Sequence, residues 1–408
     1  MKRVVVTGMG GISPLGQDWE TVDARLRSRE NAISVIGEWD RIEGLGTRLG
    51  GRVFDFEAPS HYSRKKTRTM GRVALMAVRA SERALEDAGL LDDPCIRDGR
   101  MGVSYGSCTG STDAILDLAA LRSEGNTRRI NATSYIRMMS HTCAVNIELF
   151  FELKGRVIPT SSACTSGSQG IGYAYEAIKH GYQEIMLAGG GEELCVSQAA
   201  VFDVMFATSR ANDTPDKSPR PFDEARDGLV IGEGAGTLVL ESLEHAQARG
   251  ANIYAELAGF GTNSDGAHVT QPSADTMQRA MELALESAQV DAQAVGYVNA
   301  HATATTVGDI AESRATQAVF GGQLPISSLK SYIGHTLGAS GALEAAMTIR
   351  MMNQDWYAPT INLAKVDERC GELDYIMGQG RRMSNEHVMS NNFAFGGINT
   401  SLVFRRWR

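Results

Sequence analysis

Long apolar runs are missing from this chain. No stretch reaches the about 18 apolar residues that a membrane-spanning helix needs, and the opening MKRVVVTGMGG is too short in apolar residues for a secretory leader. A cytoplasmic protein with no membrane partner is therefore expected. Cysteine is scarce: Cys95, Cys108, Cys143, Cys164, Cys195 and Cys370 are scattered without a CxxC pair, which excludes a disulfide scaffold and leads us to expect no metal. An excess of positive charge is also lacking. The formal net charge of -8 argues against a general nucleic-acid binder. A phosphate-cradling GxGxxG is absent at the first strand, where Gly8 and Gly10 are followed by Ser13 in the third place, so no nicotinamide cofactor is expected. With ten prolines and no low-complexity linker, nothing separates the chain into independently moving beads.

What is present is an ordinary globular composition, 43% hydrophobic and 22% charged, over 408 residues. That length suits two domains or one large α/β body. Val4 to Val6 read as a strand, Ala74 to Ala88 as a helix stopped by Gly89, and Met101 to Tyr105 as a strand opening into GSCTGS. Residues from about Thr112 to Gly155 read as mainly helical, IMLAGGGEE as a buried strand, and Val196 to Gly228 as a long irregular connection.

The most informative stretch is VIPTSSACTSGSQGIGYAYEAIKHG, Val157 to Gly181. Val157 and Ile158 read as the end of a buried strand, and Ile171, Ala174, Tyr175 and Ile178 fall at helical spacing. Cys164 then stands at a strand-to-helix corner, where unpaired N–H groups and the helix dipole favour a thiolate nucleophile. A small buried cysteine is the ordinary reading of such a residue taken alone.

From Ile253 the order of elements repeats. ALEDAGL at Ala84 to Leu90 is echoed by ALESAQV at Ala284 to Val290, each followed by a strand, and Ala342, Ala345, Ala346 and Ile349 repeat the helix after Cys164. Two related halves are expected, residues 1–250 carrying the cysteine and residues 251–408 carrying two loop histidines, His301 and His335. Lys330 precedes His335. Reactive polar residues set among small ones recur in NAHATATTVGD, SSLKSYIGHTLGASGALE, NSDGAHVTQP and NNFAFGGIN.

With these residues the chain resembles the elongating β-ketoacyl-acyl-carrier-protein synthases, members of the thiolase-like condensing enzymes. ACTSG is similar to the family's nucleophile motif, PFDEARDGLVIGEGAG to a long family block, HATAT to its usual HGTGT, LKSYIGHTLGASGALE to its lysine and second-histidine segment, and NFAFGGIN to its C-terminal loop. The resemblance implies a thiolase-like five-layer α/β/α/β/α fold, an acyl carrier protein as partner, no cofactor of its own, and a homodimer or pairing with a related ketosynthase subunit.

It further implies that Cys164 takes an acyl chain, with the N–H groups of Cys164 and Phe395 as oxyanion hole, and that His301 and His335 stabilise the charge formed when malonyl-carrier protein loses carbon dioxide. Lys330 is expected to pair with Glu344, Thr303 and Thr305 to bind the pantetheine arm, and Phe395 to gate the acyl channel beside the loop Asp265 to Pro272. The basic cluster Arg64 to Arg72, with Arg128 and Arg129, offers a docking face for an acidic carrier, Lys65, Lys66, Arg128 and Arg129 being its named members. Departures from the pattern are Ala302 and Ala304 for glycines, expected to narrow the pantetheine passage, with Asn392, Ala394 and Leu329. They point to a specialised substrate, as in a secondary pathway such as aryl-polyene assembly. The rival readings are a non-catalytic chain-length partner subunit, which loses the nucleophile, and a degradative thiolase, which needs a second cysteine that NNFAFGGIN lacks.

Overall fold

The computed structural model describes residues Met1–Arg408. Its first half runs β1 (Val4–Ile12), α1 (Arg72–Asp87), β2 (Met101–Gly106), α2 (Thr142–Phe151), β3 (Val157–Thr160), α3 (Ser166–Lys179), β4 (Ile185–Glu192) and β5 (Gly234–Ser242). The second half runs β6 (Ala255–Ser264), α4 (Ala274–Ala288), β7 (Val295–Asn299), α5 (Thr306–Phe320), β8 (Pro325–Ser327), α6 (Ser340–Asn353), β9 (Asp374–Tyr375), β10 (His387–Ala394) and β11 (Ile398–Arg406).

Hydrogen bonding joins these eleven strands into one sheet in the order β9-β8-β7-β10-β11-β6-β1-β5-β4-β2-β3. On one side of the β6–β1 seam the order β3-β2-β4-β5-β1 has β2 parallel to β3 and β4, with β5 antiparallel to β4 and β1. The other side repeats it, with β7 parallel to β8 and β10, and β11 antiparallel to β10 and β6. Only β9 has no counterpart. The duplication expected from the order of elements is therefore present strand for strand.

Burial explains the layers. Strands such as β1 and β4 are buried on both faces because helices cover both. Almost every residue of α6 is buried, as is most of α3, so these helices must lie in the middle of the molecule. They pack on each other and on strands of both halves, while α1 and α2 cover the first half and α4 and α5 the second. This is the five-layer α/β/α/β/α thiolase-like arrangement.

Gly8 and Gly10 serve this packing. A Cβ at Gly8 would strike Ala84 O and lie 2.8 Å from Ala88 Cβ, and one at Gly10 would lie 2.8 Å from Ala84 N. In the second half Gly259 and Gly261 meet α4 at Ala284 and Ala288 in the same way. The glycines of the first strand let helix and strand approach closely, which is why small residues recur at these places.

Two local expectations are corrected. Val157 and Ile158 do belong to a strand, but β3 is the open edge of the sheet and Val157 is 39% exposed. A short apolar run does not distinguish a central strand from an edge. The connection after β4 is also less irregular than read, since Val196–Val204 is a helix. Val201 and Val204 of that helix point outward, and this hides its periodicity. No helix is long and apolar enough to cross a membrane.

Candidate active site

The strand β3 ends in a bend stapled by hydroxyls. Thr160 Oγ1 donates to Ser166 O at 2.7 Å, Ser162 N to Ser166 Oγ at 3.0 Å, Ser166 Oγ to Ala163 O at 2.7 Å, and Thr165 Oγ1 to Ser162 O at 2.7 Å. Ala163 holds a left-handed φ of 50°, unfavourable for a residue with a Cβ and sustained only by such surroundings. The result places Cys164 in a tight turn directly before α3, 5% exposed.

His335 reaches the sulfur from the other half, with Nε2 at 2.9 Å from Cys164 Sγ. The Leu337 N–H donates to His335 Nδ1 at 3.3 Å, and Ser340 Oγ lies 3.0 Å from the same nitrogen. A backbone N–H can only donate, so Nδ1 is the acceptor and the ring proton sits on Nε2, facing the sulfur. His301 stands edge-on to His335, ring centroids 5.0 Å apart. One atom each from Cys164, His301 and His335 all lie within 4.8 Å of one another. Burial, then the charge of Lys330, holds both imidazoles well below the usual histidine range, so both are neutral donors at pH 7.

Lys330 lies beneath them, fully buried, with Nζ 2.5 Å from Glu344 Oε1. Asn392 Nδ2 donates to the other carboxylate oxygen at 2.8 Å and stands 3.5 Å from His301 Nδ1. Burial raises the Glu344 carboxyl while Lys330 and Asn392 pull it down. Burial likewise pushes the Cys164 thiol up to about 11, against the lowering by the Phe395 N–H, Lys330 and its own N–H. The corner position alone led to a thiolate. Loss of water outweighs it, and the resting sulfur is a thiol.

Cys164, His301 and His335 line a cavity of about 530 Å³, with Thr303, Thr305, Asp265 and Phe395 also in its wall. Thr303 Oγ1 and Thr305 Oγ1 are 3.1 Å apart. Asp265 is engaged by the protein itself: its Oδ1 accepts from Asn399 Nδ2 at 2.7 Å and from Thr276 Oγ1. Its N–H donates to Gly397 O at 2.7 Å, and Gly396 N donates to Val269 O at 2.9 Å, so the Phe395 turn and the Asp265 loop are joined by backbone. Of the two alanines expected to narrow the passage, Ala302 lines the cavity and Ala304 does not. Ala304 instead carries a left-handed φ of 69°.

The loop bearing His301 is anchored by residues that no sequence motif singles out. Glu312 accepts from His301 N at 2.7 Å and Ala302 N at 2.6 Å, and Asp309 accepts from Ala304 N at 3.1 Å. Burial pushes Glu312 up to about 8 and Asp309 to about 6. Arg226 donates to the carbonyls of Thr305 at 3.3 Å and Thr306 at 3.0 Å. It belongs to the SPRPFDEARDG stretch, and that crowd of charges in an otherwise small-residue connection was the available signal. Lys65 and Arg128 are exposed; Lys66 Nζ is bound to Phe150 O at 2.9 Å and Arg129 to Glu124 at 3.1 Å. Arg72 is not part of a free basic face, because it forms an ion pair with buried Glu233 at 2.8 Å.

Comparison with known proteins agrees with this geometry. Residues 1–246 match the family model described as "Beta-ketoacyl synthase, N-terminal domain", and residues 254–364 that described as "Beta-ketoacyl synthase, C-terminal domain". The chain is 38% identical over 410 residues to 3-oxoacyl-[acyl-carrier-protein] synthase 1 of Haemophilus influenzae, covering 100% of both. Among solved structures it is similar to a β-ketoacyl synthase from Burkholderia phymatum STM815, with TM-score 0.99 and 60% identity over 100% of both chains. It is also similar to the ishigamide ketosynthase/chain length factor, with TM-score 0.91 and 32% identity over 100% of both.

Proposed function

We propose, from the premise that the chain belongs to the β-ketoacyl synthase family, how its residues divide the family's reaction among them. The enzyme is a 3-oxoacyl-[acyl-carrier-protein] synthase, an acyltransferase that joins an acyl chain to malonyl-acyl-carrier protein with loss of carbon dioxide.

In the first stage the Cys164 sulfur attacks the acyl thioester, and the carbonyl oxygen moves toward the N–H groups of Cys164 and Phe395 as it gains charge. The carrier thiol leaves with the proton. The His335 Nε2–H, directed at the sulfur, favours the anionic form during attack; as an N–H it is a donor and not a base. In the second stage the malonyl thioester carbonyl lies between the two imidazoles. The electrons released with carbon dioxide settle on its oxygen, where the Nε2–H groups of His301 and His335 donate. The resulting carbanion attacks the acyl carbon and expels the Cys164 thiolate. Lys330 and Glu344 hold the field and orientation of both rings and touch no substrate; they are positioning residues. Thr303 and Thr305 receive the pantetheine arm.

The observation that carries this reading is the meeting of one thiol and two neutral imidazoles in the wall of one cavity. The same observation counts against a non-catalytic chain-length subunit, which has no use for it. An acyl-carrier thioester should leave its acyl mass on Cys164, and carbon dioxide release from malonyl-carrier protein should be lost in His301→Ala and His335→Ala. Normal decarboxylation by those variants would remove the histidines from this role.

We assign carrier docking to the exposed Lys65 and Arg128, with Lys66 and Arg129 beside them. We assign dimerisation to the open edge β3, where unpaired strand groups lie near exposed Leu149 and Val157. A Leu149→Glu variant that remains a dimer in sedimentation would move the interface elsewhere. Ala302, which lines the cavity where the family usually has glycine, supports a specialised substrate, and chain extension in a secondary pathway of aryl-polyene type is the reading we place on it.

A further inference from the structure

The two imidazoles are held differently. His335 takes a backbone N–H at Nδ1, from Leu337, and this leaves its proton on Nε2. His301 has no such donor, and the backbone N–H groups nearest to it in the chain, its own and that of Ala302, are bound to Glu312. The single hydrogen-bond partner of its ring is Asn392 Nδ2, 3.5 Å from Nδ1.

Asn391 and Asn392 are neighbours on β10, so their side chains leave opposite faces of the strand. Asn391 reaches Met281 Sδ on α4, whereas Asn392 enters the central layer, where α6 carries Glu344. Asn392 is fully buried, and its backbone carbonyl accepts from Thr400 Oγ1 at 3.1 Å. Thr400 Oγ1 also lies 2.7 Å from Ser168 Oγ on α3, so strand and helix together fix its place.

Charge decides which way the amide faces. Glu344 holds Lys330 with Oε1, and its Oε2 is 2.8 Å from Asn392 Nδ2. Reversing the amide would set Oδ1 against a carboxylate oxygen, two acceptors with no proton between them. Nδ2 therefore faces Glu344 and has two N–H groups to give, one for Oε2 and one for His301 Nδ1. Oδ1 stays without a partner beside α6, where a Cβ at Gly341 would stand 2.9 Å from it. A buried carbonyl left so is costly, and the arrangement accepts that cost to keep both donors in use.

Resting on the ketosynthase reading, we infer that Asn392 is the positioning residue that fixes His301 as its Nε2–H tautomer and ties that ring to the Lys330–Glu344 pair. An N–H aimed at Nδ1 excludes a proton there. The other nitrogen is then the donor, as the malonyl carbonyl oxygen requires.

The test uses the full chain carrying heavy nitrogen in its histidine rings, and magnetic resonance identifies the His301 signals as those missing from His301→Ala. Wild-type His301 should show an unprotonated Nδ1 and a protonated Nε2 at neutral pH. A proton found on Nδ1 would overturn the inference. In Asn392→Leu, which removes both donors, the Nδ1–H form should gain, and kcat for carbon dioxide release from malonyl-carrier protein should fall about tenfold or more while KM moves much less. A folded Asn392→Leu with wild-type ring signals and wild-type kcat would also overturn it. Should that variant not fold, the wild-type signals decide alone. A wild-type protein that releases no carbon dioxide would instead end the ketosynthase reading, and its ring signals would still report the tautomer.

Discussion

In the first half the turn Ala163–Thr165 runs into α3 at Ser166, and in the second half the turn Leu337–Ala339 runs into α6 at Ser340. Each turn begins on a residue with a Cβ at left-handed φ, 50° for Ala163 and 47° for Leu337. Their middle residues differ. Cys164 faces the cavity, whereas a side chain at Gly338 would stand 2.9 Å from Glu192 Oε2 and 3.1 Å from Cys108 N. The second half places its proposed reacting group earlier, at His335, where the first half has Ser161. One backbone device thus occurs twice, and only the first copy leaves room for a side chain at the middle of the turn.

That contrast can be broken most severely at the sulfur. Cys164→Ala should lower condensation by ~10³-fold or more, because no residue of the matching turn can replace it. Acyl transfer retained in that variant would mean another nucleophile. The next effect concerns α6 alone, which carries Glu344 where α3 has Gly170. Glu344→Ala should cost about 3–5 kcal/mol in urea unfolding by leaving Lys330 buried and unpaired, and a Lys330→Met/Glu344→Ala pair should recover part of it.

The crossing of the two central helices sharpens the comparison. A Cβ at Gly341 would collide with Ser168 N, while one at Gly167 would lie 2.9 Å from Gly338 O. Gly341→Ala should therefore destabilise more than Gly167→Ala, each by about 1–3 kcal/mol through overpacking. Equal midpoints would show that the crossing yields.

Titration separates the two halves as well. Burial raises the Cys164 thiol, so the reactive fraction grows with pH: iodoacetamide labelling should rise ~tenfold per unit up to about 11. Burial lowers the two histidines, so protonation that would disable them comes only well below their usual 6.5, and decarboxylation should hold through mildly acid pH. A labelling plateau near pH 8 would show that the thiol is less desolvated than its burial requires. The smallest effect is at the surface, where Lys65→Glu with Arg128→Glu should raise the KM for carrier-bound substrate a few-fold, on the order of 1 kcal/mol, and less at high salt.

The proposed reacting groups were legible in the sequence because each stands in a stretch of small residues. Cys164, His301, His335, Lys330 and Glu344 all meet or support one another as their motifs imply. The framework was legible from element order. What stayed hidden was the anchoring of the loops. Arg226, Asp309, Glu312 and Asn392 look like surface polar residues until folding buries them, and their partners are backbone atoms of distant segments. Edge strand and central strand share one composition, so Val157 and Ile158 do not reveal that their strand is an edge.

The seam between β1 and β6 bears on how such an enzyme opens. Val4, Val5 and Val6 pair with Leu257, Glu256 and Ala255, so one ladder runs unbroken from one half into the other. With the helices α3 and α6 packed across the same boundary, the halves have no hinge about which to part. On the proposed reading, admission of a chain and release of a product then fall to small parts, the Phe395 ring and the loop tied behind it, and need no parting of the two halves that hold the sulfur and the imidazoles.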